Sequence, residues 1–161
     1  MTYFIRKINR AKWGDKVDAP VSADAITVCC KTSSNKLSVW QANDEAELEN
    51  AKIALLGTLQ ERTKVDFIIF NQDQLAPFAW SISDEIGDTA AVNFQSMHRN
   101  ISILTYEDLG RFAGLVRSCI FETGGLQNIP VREMEAMLKK AVADNLIDKA
   151  NLKGKLKNLA T

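Results

Sequence analysis

Residues 37–70 read LSVWQANDEAELENAKIALLGTLQERTKVDFIIF, and their patterning decides the fold. Leu37-Ser38-Val39-Trp40 alternates as a short strand. Asn43 or Asp44 can cap a helix, and Glu47 follows Asp44 at the spacing of a capping box. Leu48, Ala51, Leu55 and Leu59 then recur at helical spacing, reinforced by Leu56. Asp66-Phe67-Ile68-Ile69-Phe70 closes the unit with an apolar run that suits a strand covered on both faces. Strand, helix and strand in this order predict one parallel β-α-β crossover. The expected class is α/β or α+β, with a small mixed sheet.

On the N-terminal side, Tyr3–Ile8 reads as a strand with Tyr3, Ile5 and Lys7 opposite Phe4, Arg6 and Ile8. Ser22 can cap a short helix carrying Ile26, Cys29 and Cys30, although Ile26-Thr27-Val28 has strand propensity. Thr32–Asn35 reads as a turn. On the C-terminal side, Pro77–Ser83 alternates Phe78, Trp80 and Ile82 against Ala79, Ser81 and Ser83, the pattern of a half-buried strand. Ile101 and Ile103 mark another strand. Thr105 and Asp108 form a cap for a helix whose stripe is Leu109, Phe112, Val116, Cys119 and Ile120.

Gly124-Gly125 reads as a helix stop and a hinge. The composition shifts after it, with no strand signal and no aromatic residue. Pro130 opens a helix with Val131, Met134, Leu138 and Ala141 on one face, and Leu152, Leu156 and Leu159 mark a second, weakened by Gly154. The expected organisation is an α/β core over residues 1–122 and a helical tail over 126–161. Two short amphipathic helices cannot bury themselves alone, so the tail must dock on the core or on a partner.

At 161 residues, with 46% apolar and 25% charged side chains, the chain is of a size for one domain or one domain with an appendage. No apolar run is long enough to span a membrane, and MTYFIRKINR lacks the apolar stretch of a secretory signal. Three cysteines, an odd number without metal-ligand spacing, place the chain in a reducing cytoplasm. The net charge of zero conceals segregation. Residues 1–39 hold seven bases and three acids, 40–88 three and ten, and 126–161 seven and four. Such a distribution either orients a partner or folds the basic ends onto the acidic middle.

The motif record is mostly exclusion. There is no P-loop, no GxGxxG, no GxSxG and no HExxH. No lysine follows Asp, Glu or Gln by two residues, so the acid-x-lysine pattern of many metal-dependent nucleases is missing. His98, the single histidine, is the catalytic candidate; paired with Cys29, Cys30 or Cys119 it would activate a thiolate. The three cysteines otherwise read as small core residues. Asp84, Glu85 and Asp88 do not match a calcium loop, so neither a metal nor a cofactor is expected. Bases cluster in the tail and around Trp13, but the tail lacks stacking aromatics.

The resulting expectation is a non-enzymatic accessory or regulatory protein acting through protein–protein contact, such as a small subunit or neutralising partner in a toxin- or defence-type complex. The expected contact residues are Met134, Leu138, Lys139, Lys140, Leu152, Lys153, Leu156 and Lys157, engaging a protein partner or a second copy. A small hydrolase or nuclease-like enzyme using His98 with an acid or cysteine is the first alternative. A nucleic-acid-binding regulator using both basic termini is the second.

Overall fold

A computed structural model describes residues 1–160. Its six strands are β1 (Tyr3–Ile8), β2 (Lys36–Ala42), β3 (Val65–Asn71), β4 (Ile82–Asp84), β5 (His98–Ser102) and β6 (Leu126–Ile129). Its α-helices are α1 (Ala23–Cys29), α2 (Leu48–Leu56), α3 (Gln72–Leu75), α4 (Tyr106–Phe121) and α5 (Val131–Ala143). The strands form one sheet in the order β4-β5-β2-β1-β3-β6. Every pair in it is antiparallel, so the class is α+β.

The expected parallel crossover is therefore corrected. Helix α2 connects β2 to β3, but β1 occupies the slot between them: Ile5 lies opposite Trp40 on one side and Ile69 on the other. The reason is in the pattern of β1. Ile5 faces one layer while Phe4 and Ile8 face the other, all three buried. A strand apolar on both faces is stable only in the middle of a covered sheet.

Two apolar layers sandwich the sheet. On one face, Ile5, Trp40 and Phe67 pack with Leu55 and Leu56 of α2 and Met134 and Leu138 of α5. On the other, Phe4, Ile68 and Phe70 pack with Ala25 of α1 and Phe112 and Val116 of α4. Local signals start these helices as expected. The Ser22 hydroxyl accepts from Ala25 N at 3.1 Å and the Thr105 hydroxyl from Asp108 N at 3.0 Å. Upstream of α2, Asp44 accepts from Glu47 N at 3.0 Å, and Glu47 accepts in return from Asn43 N at 2.9 Å.

Two further expectations fail for identifiable reasons. The strand over Pro77–Ser83 shrinks to Ile82–Asp84, because Pro77 sits in a 3-10 turn (Ala76–Phe78) and Ala79 adopts φ 52°. Phe78 stacks on Trp80 at 4.3 Å instead of alternating with it, and the Trp80 indole donates to Asp108 at 3.0 Å.

The division into a core over 1–122 and a tail over 126–161 also gives way. Leu126–Ile129 forms β6, paired with β3 with Ile129 opposite Val65, so the sheet itself crosses the expected boundary. The second tail helix is replaced by 3-10 turns at Lys149–Asn151 and Gly154–Ala160. Gly154 has φ +52°, and a Cβ there would overlap Gln60 O. Lys155 N donates to Gln60 O at 2.7 Å, which seats the last turn beside the end of α2.

Candidate functional site

A cleft of about 570 Å³ opens at the seam between β1 and β2, lined from the α2 side by Leu55, Thr58, Asp88 and His98 and from the α1 side by Val28. It exists because the sheet comes apart locally. Pairing of β1 with β2 stops at Ile5–Trp40, whereas pairing with β3 continues to Ile8. The resulting seam exposes the β1 backbone from Arg6 to Asn9 to the cleft, whose rim carries Thr58, Asp88 and His98.

Arg6 bridges the seam. Its Nη1 donates to Ser38 O at 2.5 Å, its Nε to Cys29 O at 2.8 Å and its Nη2 to Lys31 O at 3.2 Å. All three acceptors are neutral carbonyls, and two of the five guanidinium N–H groups remain. Burial lowers its pKa to about 10, which still leaves a full positive charge at neutral pH.

His98 stands on β5 opposite Trp40, and the two rings meet edge-on at 5.2 Å. Its Nδ1 lies 3.2 Å from Glu85 O, so the Nδ1–H tautomer donates there. Burial is the largest influence on the imidazole and lowers its pKa, opposed by the bond to the Glu85 backbone and by the Glu85 charge. The ring is thus held neutral at neutral pH. Gly87 passes over this pair so closely that a Cβ would overlap the Trp40 ring at Cη2 and the His98 Cβ.

The cysteine form of the catalytic expectation is overturned by topology. Cys29, Cys30 and Cys119 are free thiols buried in the α1–α4 layer, across the sheet from His98. Burial pushes Cys30 up to about 12 and Cys119 to about 11, so both stay protonated and inert. The three acids of the 84–88 segment are each engaged elsewhere: Asp84 with Arg99 at 3.0 Å, Glu85 with Lys36 at 3.2 Å and with Asn100, and Asp88 with Lys153 at 2.5 Å. Among the described residues no three His, Cys, Asp or Glu side chains converge as metal ligands.

The expected contact residues divide sharply. Met134, Leu138, Leu152 and Leu156 are buried in the chain's own core and have no surface to offer a partner; α2 and β3, not a second protein, cover the tail's apolar stripe. Lys140 pairs with Asp144, and Lys153 with Asp88. Lys139 and Lys157 remain exposed, but they project from elements whose apolar side faces inward.

Lys153–Asp88, Lys155–Glu61 and Lys36–Glu85 join the basic ends to the acidic middle. Near the N-terminus, Trp13 is buried and donates to Cys29 Sγ at 3.2 Å, so it is no base-stacking platform. Arg10 lies over Phe121 at 5.2 Å, and Lys12 pairs with Asp24 at 3.0 Å. No helix among the described residues is long and apolar enough to cross a membrane.

Sequence reasoning passed over Arg6. The signal was present: an arginine at the middle position of Phe4-Arg6-Ile8, an otherwise apolar strand face. A cation placed there must find partners inside the fold.

A second surface feature lies at the β4 edge. Ser102 N donates to Ser81 O at 3.0 Å, which makes Ser81 and Ser102 a hydrogen-bonded pair. By the alternation of an antiparallel ladder, the backbone groups of Ile82 and Asp84 then point away from β5. Ile82 on this strand is 38% exposed, and Ile86, two residues beyond the strand's end, is 71% exposed. An open strand edge with exposed apolar side chains in and beside it is the mark of a contact region.

No protein-family model matches the chain, and neither a curated protein nor a solved structure matches it.

Proposed function

We propose that the chain is a non-enzymatic accessory or regulatory protein that works by holding a protein partner, and that the partner docks at the β4 edge. The observation that carries this reading is the open backbone of Ile82 and Asp84 on the edge strand, with the exposed Ile82 and Ile86 side chains in and beside it. Strand addition at such an edge draws affinity from main-chain hydrogen bonds and specificity from the flanking side chains. A small subunit or a neutralising partner in a toxin- or defence-type complex is the specific form we favour. Three unpaired buried thiols are compatible with a reducing, cytoplasmic setting.

The experiment is affinity capture with the full chain and with Ile82→Pro/Ile86→Ser. Proline removes an outward donor from the edge without touching the core. A stoichiometric protein partner held by the native chain and lost by the folded variant supports the proposal. Capture of no protein, or equal capture by both chains, overturns it. The His98 alternative is checked in the same material: His98→Gln retains biological activity if His98 has no catalytic part, whereas a thousandfold loss with unchanged melting makes the chain an enzyme.

A further inference from the structure

The cleft beside β1 is a different place from the β4 edge, and its charge is unbalanced. Arg6 contributes a cation that three neutral carbonyls hold but no carboxylate offsets. Lys7, the next residue, is exposed on the same lining and forms no ion pair among the described residues. Asp88 is the one acid of the lining, and Lys153 already neutralises it. His98 adds no negative charge. The local sum is therefore positive in a chain whose overall charge is zero.

The remaining lining is of two kinds. Leu55 on the α2 side, and Ile8 with the exposed Val28 on the α1 side, supply apolar surface on the two sides of the seam. Asn9, Ser38 and Thr58 add short polar groups near the seam. Concave sites of this size that combine apolar surface with a few fixed polar groups are the usual form of small-molecule pockets. A guanidinium with two uncommitted N–H groups is suited to a planar or tetrahedral oxyanion. Its other three bonds fix it in position beforehand, so little side-chain freedom is lost on binding.

We propose that this cleft binds a small organic anion, an oxyanion headgroup carried on an apolar body, with Arg6 in the seam receiving the headgroup, Lys7 adding positive charge at the rim on the α2 side, and Leu55 and Trp40 on that side receiving the body. Carboxylate and phosphate esters share this chemistry, and the probes separate them.

The test uses the full chain, with octanoate, octyl phosphate and the neutral octanamide titrated by calorimetry below their aggregation concentrations. One of the two anions saturates a single site and binds at least tenfold more tightly than octanamide, about 1.4 kcal/mol. The tighter of the two identifies the headgroup. Lys7→Glu, an exposed substitution that leaves the melting temperature unchanged, weakens that anion tenfold or more. Arg6→Gln weakens it further; where that variant does not fold, Lys7→Glu carries the test. Equal binding of anion and amide, no saturable binding of either anion, or full affinity in Lys7→Glu overturns the proposal.

Discussion

The two faces of the sheet are built by different means. The α1–α4 layer is aromatic: Phe4 stacks on Phe70 at 5.6 Å, and Phe70 meets Phe112 edge-on at 6.1 Å. All its helical cover comes from residues 23–121, started by the Ser22 and Thr105 caps. The α2–α5 layer is mainly aliphatic and draws on distant parts of the chain. Leu55 and Leu59 share it with Met134, Leu138, Leu152, Leu156 and Leu159. The first face is sealed by strong local signals. The second is closed by a segment with weak intrinsic structure, and most of the cleft's lining lies on it. Function is easier to place on the face whose closure is looser, because loosely determined regions tolerate seams and open backbone.

The harshest way to break the comparison is to delete residues 145–161. That removes Ile147, Leu152, Leu156 and Leu159, all buried. At about 1.5–3 kcal/mol per aliphatic side chain the loss is comparable to the total stability of a small domain. The truncated chain is expected to lose its cooperative thermal transition. A sharp melt in the deletion would mean that the α2 face closes without the tail.

Next come single truncations of matched burial, one per face. Phe112→Ala is expected to cost about 3–5 kcal/mol and Leu156→Ala about 2–5 kcal/mol by chemical denaturation. A Leu156→Ala cost below about 0.5 kcal/mol, the range of surface substitutions, would put the 3-10 turn outside the core. Ser22→Ala, at the cap of α1, is expected to cost about 1 kcal/mol.

The smallest effect concerns pH. The folded pKa of His98 lies below its unfolded value, because burial disfavours the charged ring. The unfolded chain therefore binds more protons in the interval between the two values, and stability falls as pH drops through the unfolded pKa near 6.5. Its contribution is fully present above that pH. The melting temperature should fall between pH 7.5 and 5.5, and His98→Gln should flatten this part of the profile.

These contrasts also explain what could be read in advance. The helices α1, α2 and α4 follow from caps and periodicity, which are local. The strands over Tyr3–Ile8 and Asp66–Phe70 follow from β-formers in apolar alternation or continuous runs. Pairing is not local. Nothing within residues 37–70 reveals that β1 will separate β2 from β3, and Leu126–Ile129 is too short and polar to announce a strand before β3 is there to pair with it. Of the site, His98 was conspicuous because it is the single histidine. The cleft was hidden because it arises from the end of a ladder, a property of two strands more than thirty residues apart.

The wide separation in sequence of the α2 face's components has a consequence during synthesis. When Gly125 leaves the ribosome, β1 to β5 and both helices of the aromatic face can assemble, while Leu55, Leu56 and Leu59 still lack their cover. At about 5–20 residues per second, another 2–7 s or so pass before residue 159 follows. Throughout that interval the nascent chain presents an aliphatic strip to solvent or to a chaperone. Slow translation downstream of Gly125 should therefore lengthen exposure of one face while leaving the other already closed.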